Sequence, residues 1–344
     1  MSFSPMKLET AEYEFLVSPL STETKSFTSE PHSASVRVDL GALSHPGLVR
    51  IRNEDHYMVA KISRTLEVLL DNLPEGELPQ GLEEDGYSMV VADGMGGMIA
   101  GDVASMLAIS TGLKLADKSV KWGLKINERE ARELLERMSI YFQEIDRRLT
   151  RKSEADRRLF GMGTTMTLAY SVGVHLFLIH VGDSRAYLYR GGALTQLTRD
   201  HTVAQALADA GQIKEEDVRK HSRRNTLTNY LGGHEGKVKA DVRWLRIEDG
   251  DTLLLCSDGL TDMVDDAAVA DRLSRGEPSQ QAARGLLDMA LERGGRDNIT
   301  IVVAGYTIPE PQAPTRAGAV RKPKDDSPDA TEDLPTIPGP TVLE

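Results

Sequence analysis

Four aspartates stand at the ends of short, strongly apolar runs. Asp93 follows Tyr87–Ala92 and leads into Gly94-Met95-Gly96-Gly97. Asp258 comes after Asp251–Cys256 and Ser257, and Gly259 follows it. Asp183 follows His175–Val181 and Gly182, while Asp297, between Arg296 and Asn298, precedes Ile299–Ala304. Runs of this kind read as buried strands, and a strand end is a rigid platform at the rim of a core. Glycine beside an aspartate lets the backbone turn sharply or approach a ligand closely. Converging carboxylates repel one another unless cations neutralise them. Oxygen donors without neighbouring Cys or His pairs suit hard ions such as Mg2+ or Mn2+ rather than zinc or copper. One Asp-Gly after a strand is ordinary turn chemistry; the recurrence is the signal.

A fifth segment, Arg50-Ile51-Arg52-Asn53-Glu54-Asp55, precedes a short strand at about 56–60. An arginine can grip two phosphate oxygens at once, and adjacent carboxylates can extend a metal site. A phosphocysteine route is excluded, because it needs Arg six residues after Cys, and Asp262 stands at that spacing from Cys256. Cys256 instead reads as core filling at a strand end. The glycines 94, 96, 97 and 101 loosely imitate a dinucleotide loop, but the spacing misses G-x-G-x-x-G, and Asp93 would repel pyrophosphate.

Further strands are expected at Thr164–Tyr170 and Ala186–Tyr189, and the Lys61–Gly86 stretch reads as a hairpin with a long surface loop. Leu134, Leu135, Met138, Phe142, Ile145 and Leu149 line one face of a helix over about 127–150. Ala283, Leu286, Leu287 and Ala290 do the same for 279–292. Strands that cluster instead of alternating with helices predict an α+β fold, an antiparallel sandwich with helices packed outside. Residues 1–35 read as an irregular extension and 36–306 as the folded domain. Residues 307–344 hold eight of the 15 prolines and few large apolar side chains, a composition expected to be disordered.

Apolar residues make up 40% and charged residues 27% of the 344, a soluble balance. No apolar run approaches the roughly 18 residues of a membrane span, and the N-terminus lacks a signal-peptide pattern. A single cysteine excludes an internal disulfide. A cytoplasmic protein is expected. The net charge of -12 makes nucleic acid and anionic membranes unexpected partners.

In chain order, Arg50-x-x-Asn53-Glu54-Asp55, Val90–Gly97, Gly161–Thr165, His180–Arg185, Leu197–Thr202, Cys256–Leu260 and Gly295–Thr300 resemble the motifs of metal-dependent serine/threonine protein phosphatases of type 2C, in their bacterial branch. The resemblance runs from about Val36 to Tyr306. It implies two antiparallel sheets flanked by helices, with a site for two Mn2+ or Mg2+ ions at one end. It further implies that Asp93 bridges both ions and that the Gly94 carbonyl binds one. Asp258 and Asp297 complete the first ion and Glu54 the second, while Asp55 orients water from behind. Asp183, with Asp258, holds a weaker third ion, and Arg50 grips the substrate phosphate.

Animal members carry histidine where this chain has Met95, and a thioether cannot donate a proton; the leaving group then takes its proton from metal-bound water or from another residue, with His56 and His201 as candidates. Asp200–Gly233 matches the bacterial flap, with Ser222 where proline is usual. The implied reaction is hydrolysis of phosphoserine and phosphothreonine by a metal-bound hydroxide, with Arg50 and the ions neutralising the phosphoryl oxygens. The expected substrates are phosphorylated proteins, a serine/threonine kinase or its targets, acted on by a monomer. The alternative, an inactive phosphatase-like binding module, usually lacks a metal carboxylate, and none is missing here. Thr331, Thr336 and Thr341 in the tail are open to phosphorylation themselves.

Overall fold

The computed structural model describes residues 33–67, 69–70, 82–97, 99–117, 128–233 and 237–309. The expectations of an irregular N-terminus and a disordered tail lie almost wholly outside these residues. Elements follow in the order β1 (Arg37–His45), β2 (His56–Leu66), β3 (Leu82–Ala92), β4 (Gly94–Met95), α1 (Ala100–Asp117) and α2 (Glu128–Ala155). Then come β5 (Gly163–Thr164), β6 (Met166–Val172), β7 (His175–Val181), β8 (Arg185–Arg190), β9 (Ala193–Gln196) and α3 (Val203–Asp209). The chain continues with β10 (Asp241–Arg246), β11 (Thr252–Cys256), α4 (Asp258–Thr261), α5 (Asp266–Leu273), α6 (Ser279–Glu292) and β12 (Ile299–Thr307).

One five-stranded sheet has the order β1-β12-β11-β8-β9 and the other β10-β7-β6-β3-β2. Every pairing within them is antiparallel. This is the expected α+β sandwich, and it removes the dinucleotide reading, which requires parallel strands joined by crossover helices.

The apolar runs are continuous because both faces of the central strands are covered. Along β11, Leu253 and Leu255 point between the sheets while Leu254 and Cys256 face the α5–α6 side. Along β12, Val302 and Ala304 go inward, and Ile301 and Val303 meet α6. Val90 on β3 faces α1 and α2, whereas Met89 and Val91 enter the inter-sheet core. Each such side chain contributes about 1.5–3 kcal/mol on burial, so the strand ends are anchored from two sides. The helix expected at 127–150 runs on to Ala155, with Leu135, Met138, Phe142, Ile145 and Leu149 buried. The short strand expected at 56–60 reaches Leu66 by pairing with β3 along its length.

Candidate metal centre

Strand direction brings the acidic segments to one rim. β3 and β7 both pair antiparallel with β6, so Asp93 and Asp183 leave their sheet at the same edge. His56 pairs with Ala92, which brings Glu54 and Asp55 there too. In the other sheet Cys256 pairs with Ile301 and with Arg185, setting Asp258 and Asp297 side by side at the strand ends. Direct contacts join the two rims. Ser257 Oγ donates to Asp55 Oδ2 at 2.7 Å, Glu54 N donates to Asn298 Oδ1 at 2.9 Å, and Arg50 Nη2 meets Asp297 Oδ2 at 2.7 Å.

The site is electrostatically unfavourable as it stands. Asp93 and Asp258 keep one face toward solvent, but protein surrounds them elsewhere. Desolvation, followed by the charges of Asp55, Asp258, Asp183 and Asp297, drives the Asp93 pKa well above the ordinary carboxylate range. Asp258 is driven the same way by desolvation and then by Asp183, Asp297, Asp262 and Asp55. Burial pushes Asp55 up to about 6 against the opposing hydroxyls of Ser257 and Thr300. Asp183 is pushed to about 7 by burial and by Asp200, with Arg185 opposing. Glu54 is raised by burial, and the Arg50 charge pulls it back.

Among the described residues no three His, Cys, Asp or Glu side chains already form a finished ion-binding group. Asp297 is turned to Arg50 and one oxygen of Asp55 to Ser257. The donor set nevertheless fits a hard cation. Asp55 Oδ1 and Asp258 Oδ1 are buried without a hydrogen-bond partner, and an orphaned charged acceptor costs about 1–3 kcal/mol or more. A side chain added at Gly101, in the first turn of α1, would lie 2.0 Å from Glu54 Oε2 and 2.8 Å from the Gly94 carbonyl oxygen. Two oxygen donors thus face one small space that glycine leaves open. Gly94 itself is required by close approach, since a Cβ there would sit 2.1 Å from the Gly101 carbonyl oxygen.

All the residues singled out in the sequence, Arg50, Glu54, Asp55, Asp93, Gly94, Asp183, Asp258 and Asp297, therefore lie along this rim. Of the two candidate acids, His56 is half-buried, with Nδ1 on Ser105 Oγ at 2.9 Å and Nε2 3.7 Å from Asp102. His201 has Nδ1 on the Gly182 N–H at 3.1 Å and Nε2 3.2 Å from Asp241 Oδ2. Several positioning residues were not anticipated. The Asn298 amide donates to the carbonyls of Pro46 and Arg52, at 3.0 and 2.9 Å, and so shapes the Arg50 loop. Ser257 links Asp55 to the Thr300 N–H. Thr164 Oγ1 donates to the Asp93 carbonyl at 2.8 Å, and Thr165 Oγ1 accepts from the Asp93 N–H at 3.0 Å. Their only sequence signal was membership of the matched motifs.

The protein phosphatase 2C family model matches residues 80–292. The chain belongs to the protein phosphatase 2C family. It is 39% identical over 235 residues to the serine/threonine protein phosphatase PstP of Mycobacterium tuberculosis, covering 67% of this chain and 43% of that protein. It is 38% identical over 215 residues to a serine/threonine phosphatase of Listeria monocytogenes, covering 62% of this chain and 82% of that one. This protein phosphatase 2C chain thus spans less than half the length of the mycobacterial relative. The crystal structure of M. tuberculosis PstP superposes with a TM-score of 0.63 at 34% identity, over 78% of this chain and 98% of that one. A PstP catalytic domain in complex with two manganese ions gives 0.62 at 32% identity, over 79% and 99% of the respective chains.

Proposed function

We propose that the chain is a metal-dependent phosphoprotein phosphatase that hydrolyses phosphoserine and phosphothreonine monoesters. The observation that carries this reading is the set of desolvated carboxylates at one rim, two with orphaned oxygens, beside an arginine. Asp93, the Gly94 carbonyl, Asp258, Asp297 and Glu54 would hold two Mn2+ or Mg2+ ions, and Asp183 with Asp258 a weaker third. When bound, such ions neutralise phosphoryl charge and lower the pKa of water toward neutrality.

The rest is done by the chain's own groups. Arg50 is tethered to Asp297 through one nitrogen, and its side chain is 58% exposed, so its remaining donors can reach a phosphate. Asp55 is held by Ser257 behind the rim and orients what binds in front of it. Met95 has no proton to give the departing alcohol, which leaves water at the rim or a nearby histidine, His56 or His201, as the source. That the relatives are serine/threonine phosphatases supports phosphorylated proteins as the substrate class. The finer reading is a cytoplasmic monomer that opposes a serine/threonine kinase. An inactive binding module gains no support, because the full carboxylate set is present.

The deciding experiment is hydrolysis of a phosphothreonine peptide and of p-nitrophenyl phosphate in Mn2+, comparing the natural chain with Asp93→Asn and Asp258→Asn. The natural chain should turn over both substrates and each folded variant neither. Near-normal turnover in either variant would overturn the metal-centre reading, and none in the natural chain would favour the binding module.

A further inference from the structure

His201 sits where two parts of the protein meet. The segment 200–231 leaves β9, forms α3 and a series of turns, and returns to the rim at Leu231, where it exchanges backbone hydrogen bonds with Thr164, each 2.9 Å. At its other end the clasp is His201, through its backbone and its ring together. The His201 N–H donates to the Gly182 carbonyl at 2.7 Å, and the Gly182 N–H donates to His201 Nδ1 at 3.1 Å. Because Gly182 N–H can only donate, Nδ1 carries no proton, which leaves the Nε2 hydrogen to face Asp241 Oδ2 at 3.2 Å. The Asn229 side-chain amide also reaches Nδ1, at 3.2 Å, and is fixed in turn on the Lys239 carbonyl at 2.6 Å. The His201 carbonyl accepts from Thr228 N–H at 2.8 Å.

The turn that His201 grips has little freedom of its own. Gly182 has φ +111°, and a side chain there would run into Thr165 Cγ2 at 2.5 Å. Ser184 Oγ pairs with Thr165 Oγ1 at 2.7 Å, and the same Thr165 oxygen holds the Asp93 N–H. Just before the histidine, Asp200 makes a bidentate pair with Arg185, nearly buried on both sides. Asp183 thus hangs on a turn held from below by Thr165 and from above by His201.

We propose that His201 is a positioning residue that locks the Gly182–Asp183 turn to the 200–231 segment, so that the Asp183 carboxylate and that segment keep one register. The kinetic consequence rests on the phosphatase reading; the structural one does not. A shift of the segment near Thr228 is then felt at Asp183 through the His201 ring as well as through the backbone bond from His201 N–H to the Gly182 carbonyl.

Three variants test this. His201→Phe keeps the ring volume and removes both nitrogens. His201→Asn sets an amide oxygen near the place of Nδ1 and keeps the acceptor for Gly182 N–H. Asp241→Ala, at an exposed position, removes only the group that faces Nε2. In metal-free protein, amide hydrogen exchange at Gly182 and Thr228 should quicken about fivefold or more in His201→Phe, the loss of one hydrogen bond. It should stay within about twofold of the natural chain in His201→Asn. The Mn2+ concentration giving half-maximal phosphopeptide hydrolysis should rise in His201→Phe and return in His201→Asn. Unchanged exchange at Gly182 in His201→Phe, or equal exchange in the Phe and Asn variants, overturns the proposal. If His201→Phe does not fold, the comparison is His201→Asn against Asp241→Ala. Faster exchange at Gly182 only in Asp241→Ala then supports the oriented acceptor, and no change in either overturns it. Absence of Mn2+-dependent hydrolysis in the natural chain would refute the phosphatase reading while leaving the exchange result to judge His201.

Discussion

Replacing Gly101 with alanine should separate catalysis from stability. The new Cβ would stand 2.0 Å from Glu54 Oε2 and 2.8 Å from the Gly94 carbonyl oxygen. Swinging Glu54 aside by about 1 Å relieves the first contact, while the second is to backbone and requires the Gly94 peptide to give as well. Overpacking of this sort costs about 1–3 kcal/mol, partly offset by up to about 1 kcal/mol of helix propensity gained on replacing glycine. The net loss of stability is therefore about 0–2 kcal/mol, and the protein folds. Displacing a metal-binding or positioning group by about 1 Å costs on the order of a hundredfold in turnover. Gly112 in the same helix is the control, since its added Cβ would meet Ile145 Cδ1 and Met166 Cε at 3.5 Å, ordinary contact distance. Gly112→Ala should keep full activity and gain about 0.5–1 kcal/mol. Mn2+-dependent hydrolysis of p-nitrophenyl phosphate and urea unfolding of both variants supply the numbers. Gly101→Ala within about threefold of natural turnover, or both variants losing activity alike, would refute the assignment of the Gly101 space to a ligand.

Arg50→Ala should raise KM for a phosphopeptide about tenfold or more while kcat falls less, because the lost contact binds phosphate in both ground and transition states; an unchanged KM would make Arg50 structural. Metal-free protein should lose stability as pH rises from about 4 to 7. Asp55 and Asp183 have folded pKa values of about 6 and about 7, above their ordinary 3.8, so the folded state binds the extra protons and repulsion grows as they leave. Mn2+ should abolish that slope, and denaturation with and without chelator checks it. His180 works in the opposite direction. Burial, and secondarily His201, lower it from 6.5 to about 4, so its contribution is complete above 6.5 and is lost as pH falls toward 4. The loss is about 3 kcal/mol, and the stability difference between His180→Gln and the natural chain should shrink by that amount over this window.

The strands and the acidic rim were legible because both faces of the central strands are buried, leaving mostly apolar runs such as HLFLIHV, buried at every position, with an aspartate just beyond. Helix α1 left no such trace. Its inner face is Ala100, Gly101, Ala104, Ser105, Ala108 and Thr111, small side chains that let the helix approach the sheet closely, while Met106 and Leu113 stay exposed. A periodicity search for large apolar residues passes over such a helix. Gly101 left no signal of its own in the sequence, because the closeness of Glu54 Oε2 and the Gly94 carbonyl to its α-carbon appears only in the fold. The pairing of Arg50 with Asp297, 247 residues apart, and the hold of Asn298 on the Arg50 loop are products of topology that no local pattern encodes.

The most direct measurement is anomalous scattering from a crystal grown with manganese. Two peaks should lie at the rim within coordination distance of Asp93, one also touching Asp258 and Asp297 and the other Glu54, with Asp297 released from Arg50. Carboxylates still turned apart, with no peak between Asp93 and Asp258, would contradict the claim that this acidic rim is a metal centre.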